Sequence, residues 1–256
     1  MKYNYSDADK QKIEQAKKWK EASAEHGISY CLVEDEEYPS DLRQIVHVPP
    51  ILYYKGDIQT LNKRKSVAVI GTRKFSPAGK KLAYATGRRI AEAGFNLVNG
   101  LALGCDTEAI RGALSAGGRC IAIMPCGLEQ VQPKSNEGLA KEILQAGGCL
   151  LSEYPIGTEI QKYRYVERDR LQSGVSQSVL IIEAERNSGT MHTAGFAVSQ
   201  YRRLVCYSHM LIERSTGNQY LEEAGKAEVL QSLKDLDTFL ERLSGEEVYE
   251  QMTLEF

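Results

Sequence analysis

Residues able to handle anions gather where short apolar runs give way to glycine turns. Residues 67–70 lead into Gly71, Thr72, Arg73, Lys74 and Phe75, and then into Ser76 and Pro77. A serine cap followed by proline at the first helical position starts a helix. Such a start presents free N–H groups and a positive dipole end, which suit phosphate. Arg73 adds a planar fork of donors. The next apolar run ends in Asn99, Gly100, Gly104, Cys105 and Asp106. A third ends in Pro125, Cys126 and Gly127, with Lys134 a few residues on. A fourth ends in Ser152, Glu153, Tyr154 and Pro155, and a fifth in Glu183 and Ala184, before Ser188, Gly189 and Thr190 at another helix start. Each turn alone is an ordinary connection. Their convergence on one edge predicts an anion site.

Charge sharpens this. The net charge is −2, which excludes a uniformly basic coat. The cations are nevertheless unevenly placed. Residues 62–89 hold Lys63, Arg64, Lys65, Arg73, Lys74, Lys80, Lys81, Arg88 and Arg89, and no acid. Lys80, Lys81, Arg88 and Arg89 read equally well as a solvated helix face. A second basic segment has Lys162, Arg164, Arg168 and Arg170, diluted by Glu167 and Asp169 and interleaved with Tyr163 and Tyr165. Cations among aromatics suit single-stranded nucleic acid, because charge tracks phosphates while rings stack bases.

The elements that must carry these residues follow from periodicity. Ile13, Ala16, Trp19 and Ala22 predict one helix over 7–26. Residues 28–57 are rich in turn formers yet too apolar for a free linker. Beyond 66, apolar runs at 67–70, 95–98, 120–124, 149–151, 179–182 and 204–206 alternate with helical patterns at 76–93, 107–116, 137–146, about 163–173, and 190–201. Short β-branched runs suit strands buried on both faces. Their alternation with helices predicts an α/β fold: an open, mostly parallel sheet with helices on both faces. A last helix near 233–243 precedes an acidic tail with Glu246, Glu247, Glu250 and Glu255. The expected organisation is an N-terminal helical segment, 1–27, and a core, 28–256, with 28–60 as its extension.

Several classes are disfavoured. The chain of 256 residues is 42% hydrophobic and 26% charged, an ordinary globular composition. No stretch approaches ~18 consecutive apolar residues, so no membrane span is expected. The polar start lacks the apolar segment of a secretory signal, which favours a cytoplasmic protein. The six cysteines are scattered without a CxxC, and the four histidines are dispersed, so no metal and no cofactor are expected. No GxGxxG follows the first parallel run, and no GxxxxGK[ST] occurs, since Gly79, Lys80 and Lys81 sit inside a helix.

The motifs also occur in a familiar order: 38–39 (YP), 50–53 (PILY), 69–73 (VIGTR), 99–106 (NGLALGCD), 112–114 (GAL), 126–128 (CGL), 133–136 (PKSN), 152–155 (SEYP), 168–170 (RDR), 188–190 (SGT) running to Thr193 and Ala194, and 217–218 (GN). Over about Tyr38 to Ala227 the chain resembles the DNA-processing protein A (DprA/Smf) family. The resemblance implies an extended Rossmann-like core that binds single-stranded DNA, forms a homodimer, helps load a RecA-type recombinase during natural transformation, and catalyses no reaction. It casts Arg73 as the pocket arginine, Lys134 as a phosphate contact, Arg168 and Arg170 as flanking arginines, and Asn99, Gly100, Gly104 and Asp106 as the second glycine turn. With Gly71, Thr72, Lys74, Phe75, Gly127, Arg164, Ser188 and Gly189, these make up the expected nucleic-acid site. The chain departs from the family pattern at Leu103, Ile110, Gln132, Asp169 and Tyr207–Ser208–His209, and shows no winged-helix-like C-terminal domain, which marks a divergent branch. The competing reading is a nucleotide sensor or nucleoside-phosphate hydrolase of the related Rossmann class, in a defence locus, with Glu183 or Glu153 as acid or base. A third is a scaffold that recruits a partner through its terminal segments.

Overall fold

The computed structural model describes residues 3, 5–213 and 215–245, so the acidic tail lies outside the described residues. Helices α1 (Asp7–Lys18) and α2 (Lys20–Glu25) precede β1 (Ser29–Leu32), β2 (Ile51–Gly56) and α3 (Thr60–Lys63). Then follow β3 (Ser66–Ile70), α4 (Pro77–Glu92), β4 (Asn96–Asn99), α5 (Cys105–Ser115), β5 (Cys120–Ile123), α6 (Glu137–Gln145) and β6 (Cys149–Ser152). The chain continues with α7 (Lys162–Gly174), β7 (Ser178–Ile181), α8 (Thr190–Ser199), β8 (Arg203–Tyr207), α9 (Thr216–Glu223), β9 (Glu228–Leu230) and α10 (Leu233–Gly245).

The nine strands form one sheet in the order β1-β2-β6-β5-β4-β3-β7-β8-β9. From β6 to β9 every neighbouring pair is parallel, while β1–β2 and β2–β6 are antiparallel. Residues 28–57 therefore extend the sheet at one edge. Tyr38 is fully buried there and donates its hydroxyl to the Pro49 carbonyl at 2.8 Å.

Alternation along the strands divides the core by face. Val67 and Val69 join Leu97, Ala122 and Leu180 on the side covered by α4, α5, α6 and α10. Ala68 and Ile70 join Val98, Ile121 and Val179 on the side covered by α7 and α8. Both faces being covered explains why the runs read as continuous apolar stretches.

The N-terminal helix differs from expectation. It breaks at Trp19, whose N–H is shared between the Gln15 and Ala16 carbonyls at 3.2 Å. The break shifts the buried stripe, so Ser23 is buried and Ala22 is exposed. Helix α9 and strand β9 were not expected. They are short, and β9 places only Leu230 in the core.

The strand order reverses between β3 and β7. Chain segments leaving these two strands go to opposite faces of the sheet, which opens a crevice at their carboxyl ends.

Candidate functional site

The crevice is a cleft of about 560 Å³ between the loop after β3, the start of α8 and one face of α7. The β3 loop is strapped on both sides: Thr72 N–H donates to the Glu183 carbonyl at 2.7 Å, and Cys105 N–H donates to the Thr72 carbonyl at 3.1 Å. Arg73 and Lys74 emerge from this anchored turn as exposed side chains lining the cleft. Arg73 lies 5.7 Å from the centre of the Tyr165 ring. Among the described residues no carboxylate oxygen lies within 4.0 Å of either cation. Across the cleft, Ser188, Gly189 and Thr190 begin α8, which has no side-chain cap. The Gly189 and Thr190 N–H groups have no acceptor among the described residues. An uncapped helix start leaves such donors available to an anion.

Three expected anion contacts are occupied from within. At the start of α4, the Glu183 carboxylate accepts from Ser76 N–H at 2.9 Å and from the Ser76 hydroxyl at 3.0 Å. The Ser76 hydroxyl in turn accepts from Gly79 N–H at 3.0 Å. Glu183 is completely buried, and a Cβ on Gly79 would come within 1.9 Å of Oε2. The helix end expected to bind phosphate thus already holds an anion. At the second glycine turn, Asp106 Oδ2 accepts from Gly100 N–H at 3.0 Å and Ala102 N–H at 3.2 Å. Asn99 Oδ1 accepts from Leu101 N–H at 3.0 Å. Burial pushes the Asp106 carboxyl up to about 6, against the lowering pull of Arg168 and the two amides. Arg168 packs its guanidinium onto Gly100, where a Cβ would meet Nη1 at 1.5 Å. Arg168 is 5% exposed and acts as a clamp on this turn.

The structure brings Gly71, Thr72, Arg73, Lys74, Asp106, Arg168, Ser188 and Gly189 together around the cleft. The other expected residues lie elsewhere. Arg170 is locked in a bidentate pair with Glu153 at 2.7 and 2.6 Å and donates to the Glu167 carbonyl at 2.7 Å. Lys134 lines a separate hollow of about 450 Å³ with Lys55, Glu129 and Glu137. Arg164 donates to the Glu159 carbonyl and lies between the rings of Tyr154 and Tyr163, at 4.9 and 5.6 Å. Phe75 packs against the core with Lys80 above it. Asn99, Gly100, Gly104 and Gly127 are outside the lining.

Both acid–base candidates of the competing reading are also withdrawn, Glu183 beneath Ser76 and Glu153 against Arg170. Ile110, one of the departures from the family pattern, fills the core at 1% exposure, so it alters packing rather than the cleft. Leu103 is exposed, and His209 pairs with Glu222 at 2.8 Å, away from the cleft.

Sequence reasoning missed Gln172 as a lining residue, and it named Thr190 and Thr193 only as part of the motif at the helix start, outside the set of expected contacts. The available signal was spacing: Asp169 and Gln172, like Thr190 and Thr193, stand three residues apart on one helix face. Asp169 lies 3.6 Å from Arg168, and burial raises its carboxyl from the ordinary range. Among the described residues there is no group of three or more His, Cys, Asp or Glu able to hold a metal, and no helix is long and apolar enough to cross a membrane.

A doubly wound sheet with a cation-rimmed crevice at its switch point defines an extended Rossmann-type α/β protein. Comparison with known sequences narrows the class. Residues 29–241 match the family described as DNA recombination-mediator protein A, and the chain belongs to it. It is similar to DNA processing protein DprA of Bacillus subtilis (strain 168), 30% identical over 208 residues that cover 80% of this chain and 70% of that protein. Protein Smf of Escherichia coli (strain K12) is 32% identical over 192 residues, 75% of this chain and 50% of that protein. Among solved structures, DNA processing protein A from Helicobacter pylori, described for its single-stranded DNA binding mode, superposes with a TM-score of 0.76 at 30% identity, covering 85% of this chain and 98% of that one.

Proposed function

We propose that the cleft binds the backbone of single-stranded DNA and that the protein acts as a DNA-processing recombination mediator without turnover. The observation that carries this reading is the pair of free cations, Arg73 and Lys74, facing an uncapped helix start across an open crevice. Phosphates bridge the two walls, and Tyr165 and the exposed Tyr163 offer faces for bases. The similarity to the Helicobacter pylori protein supports the ligand class. A second copy of the chain and a RecA-type recombinase are the partners this reading expects, in the cytoplasm. The nucleotide-hydrolysing alternative loses the two acid–base candidates named for it from the sequence, since Glu183 and Glu153 are both engaged.

The test is fluorescence anisotropy with a labelled oligonucleotide at two salt concentrations. Affinity should fall steeply with salt, because each neutralised phosphate releases counterions. Absence of binding at low salt overturns the reading. Size-exclusion chromatography and co-precipitation with a purified recombinase test the two partners.

A further inference from the structure

Helix α4 carries a row of side chains that the cleft does not use. Its buried side is Gly79, Ala83, Thr86, Gly87 and Ile90. That side packs on α5 so closely that a Cβ on Gly87 would come within 1.9 Å of the Ala109 carbonyl oxygen. This packing decides which residues face outward. Lys80, Lys81, Tyr84 and Arg88 are exposed, and their three- and four-residue spacing sets them in one row along the helix. None of them lines the cleft.

A solvated helix face commonly mixes the signs of charge, as acid–base pairs one turn apart. The start of α4 does not. Residues 62–89 hold no acid. Among the described residues, no carboxylate oxygen lies within 4.0 Å of Lys74, Lys80 or Lys81. Carboxylates meet the row at its far end, where Glu92 holds Arg88 at 2.8 Å and Asp237 approaches Arg89 at 3.6 Å. The row also begins where the cleft ends. Lys74 lines the cleft, half-buried Phe75 follows it, and Lys80 Nζ stands 5.9 Å from the centre of the Phe75 ring. Tyr84 is 39% exposed one turn further on. From Ser76 to Tyr84 the helix advances about 12 Å, room for a few nucleotides. The Ser76 and Gly79 N–H groups are already engaged by Glu183 and Ser76, so α4 offers its side chains and not its N-terminus.

We propose that a single strand leaving the cleft past Lys74 runs on along α4, with phosphates on Lys80 and Lys81 and a base stacked on the exposed ring of Tyr84. Unpaired cations beside an exposed ring suit a single strand, whose bases are open to stacking, whereas a duplex keeps its bases inside. The inference rests on the reading that the cleft holds single-stranded DNA, and it extends that footprint onto a second surface. Short strands then engage the cleft alone, and longer strands engage the cleft and α4 together.

The experiment measures anisotropy over a salt series with labelled oligothymidylates of about 6 and about 16 nucleotides, both within the range of single-strand site sizes. It uses the full chain, Lys80→Gln/Lys81→Gln, Tyr84→Ala and Tyr84→Phe. Removing both lysines should reduce the salt slope of the longer strand by about 1.4, two phosphates at about 0.7 each, and leave the shorter strand unchanged. Tyr84→Ala should weaken the longer strand about fivefold, the lower end of one base–aromatic stack, and Tyr84→Phe should restore it. The control is Lys63→Gln/Arg64→Gln, which removes the same charge just before β3, at the opposite edge of the sheet, and should leave both slopes as they are. An unchanged longer strand in the Lys80/Lys81 variant overturns the path along α4 and leaves the cleft reading standing. So does an equal loss in the control, which makes the effect one of overall charge, or an equal loss on both lengths, which places the lysines at the cleft itself. No binding of either strand by the wild-type chain overturns both readings.

Discussion

Two helices begin beside the switch point of the sheet, and they begin differently. Helix α4 has a serine cap, a proline at its first position, and a buried glutamate from the end of β7 held against Ser76. Helix α8 starts at Gly189 with no side-chain cap and faces the cleft. In sequence the first is the stronger helix start, so it reads as the stronger phosphate site. In the structure that strength closes it, because the residues that cap a helix use up the donors an external anion would need. The donors available to a ligand lie at the weaker start. The same division separates the cations: Arg170 has its carboxylate, and Arg73 has none within salt-bridge distance among the described residues.

The contrast can be broken at its closed end first. Glu183→Ala leaves the Ser76 N–H and hydroxyl buried without an acceptor, and should lower stability by about 3 kcal/mol in denaturant unfolding, the scale of hydrogen bonds to a charged group. A loss under about 0.5 kcal/mol means the carboxylate is not holding the helix start. Arg170→Ala strands Glu153 in a mostly buried pair and should cost about 2–3 kcal/mol, while oligonucleotide affinity stays within about twofold of wild type. A large affinity loss with intact stability reverses the assignment of Arg170.

The second glycine turn titrates. The Asp106 carboxyl is held near 6 in the fold and lies in the ordinary carboxylate range when unfolded. The neutral form is therefore the one the fold favours. Its contribution is complete below about pH 4 and is lost as pH rises through about 6. Relative to Asp106→Asn, the wild-type chain should lose about 2 kcal/mol between pH 4 and 7. Parallel stability curves for the two proteins contradict this.

At the open end, Arg73→Ala should weaken oligonucleotide binding about tenfold and flatten the salt slope by about one, with stability nearly unchanged. The smallest effect is expected at Lys134, which lines a different hollow: Lys134→Ala should change the affinity for a short strand by less than about twofold. A tenfold loss there would place a strand across both hollows.

Much of this fold is legible from its sequence, for a physical reason. Runs such as 67–70 and 179–182 are buried on both faces, so burial demands apolar residues at every position. Strand β9 has three residues and fully buries only Leu230, so it carries no such demand, and the break at Trp19 leaves helical residues on both sides of it. In the site, Gly71 to Lys74 and Ser188 to Gly189 are legible because strand order alone puts them at the crevice. The fate of Arg170 is not. Its partner Glu153 arrives from the end of β6, and no local pattern pairs a cation with a carboxylate 17 residues away. Gln172 carries no motif, and only the placement of α7 under the crevice makes it part of the floor.

The most direct test of the account is amide hydrogen exchange with and without a short single strand. Binding should slow exchange across residues 188–193 at the start of α8, with little change at 76–80, where Glu183 and Ser76 already hold the helix start. Protection at 76–80 with none at 188–193, in a sample shown to bind the strand, would contradict the assignment of the open helix start as the anion site.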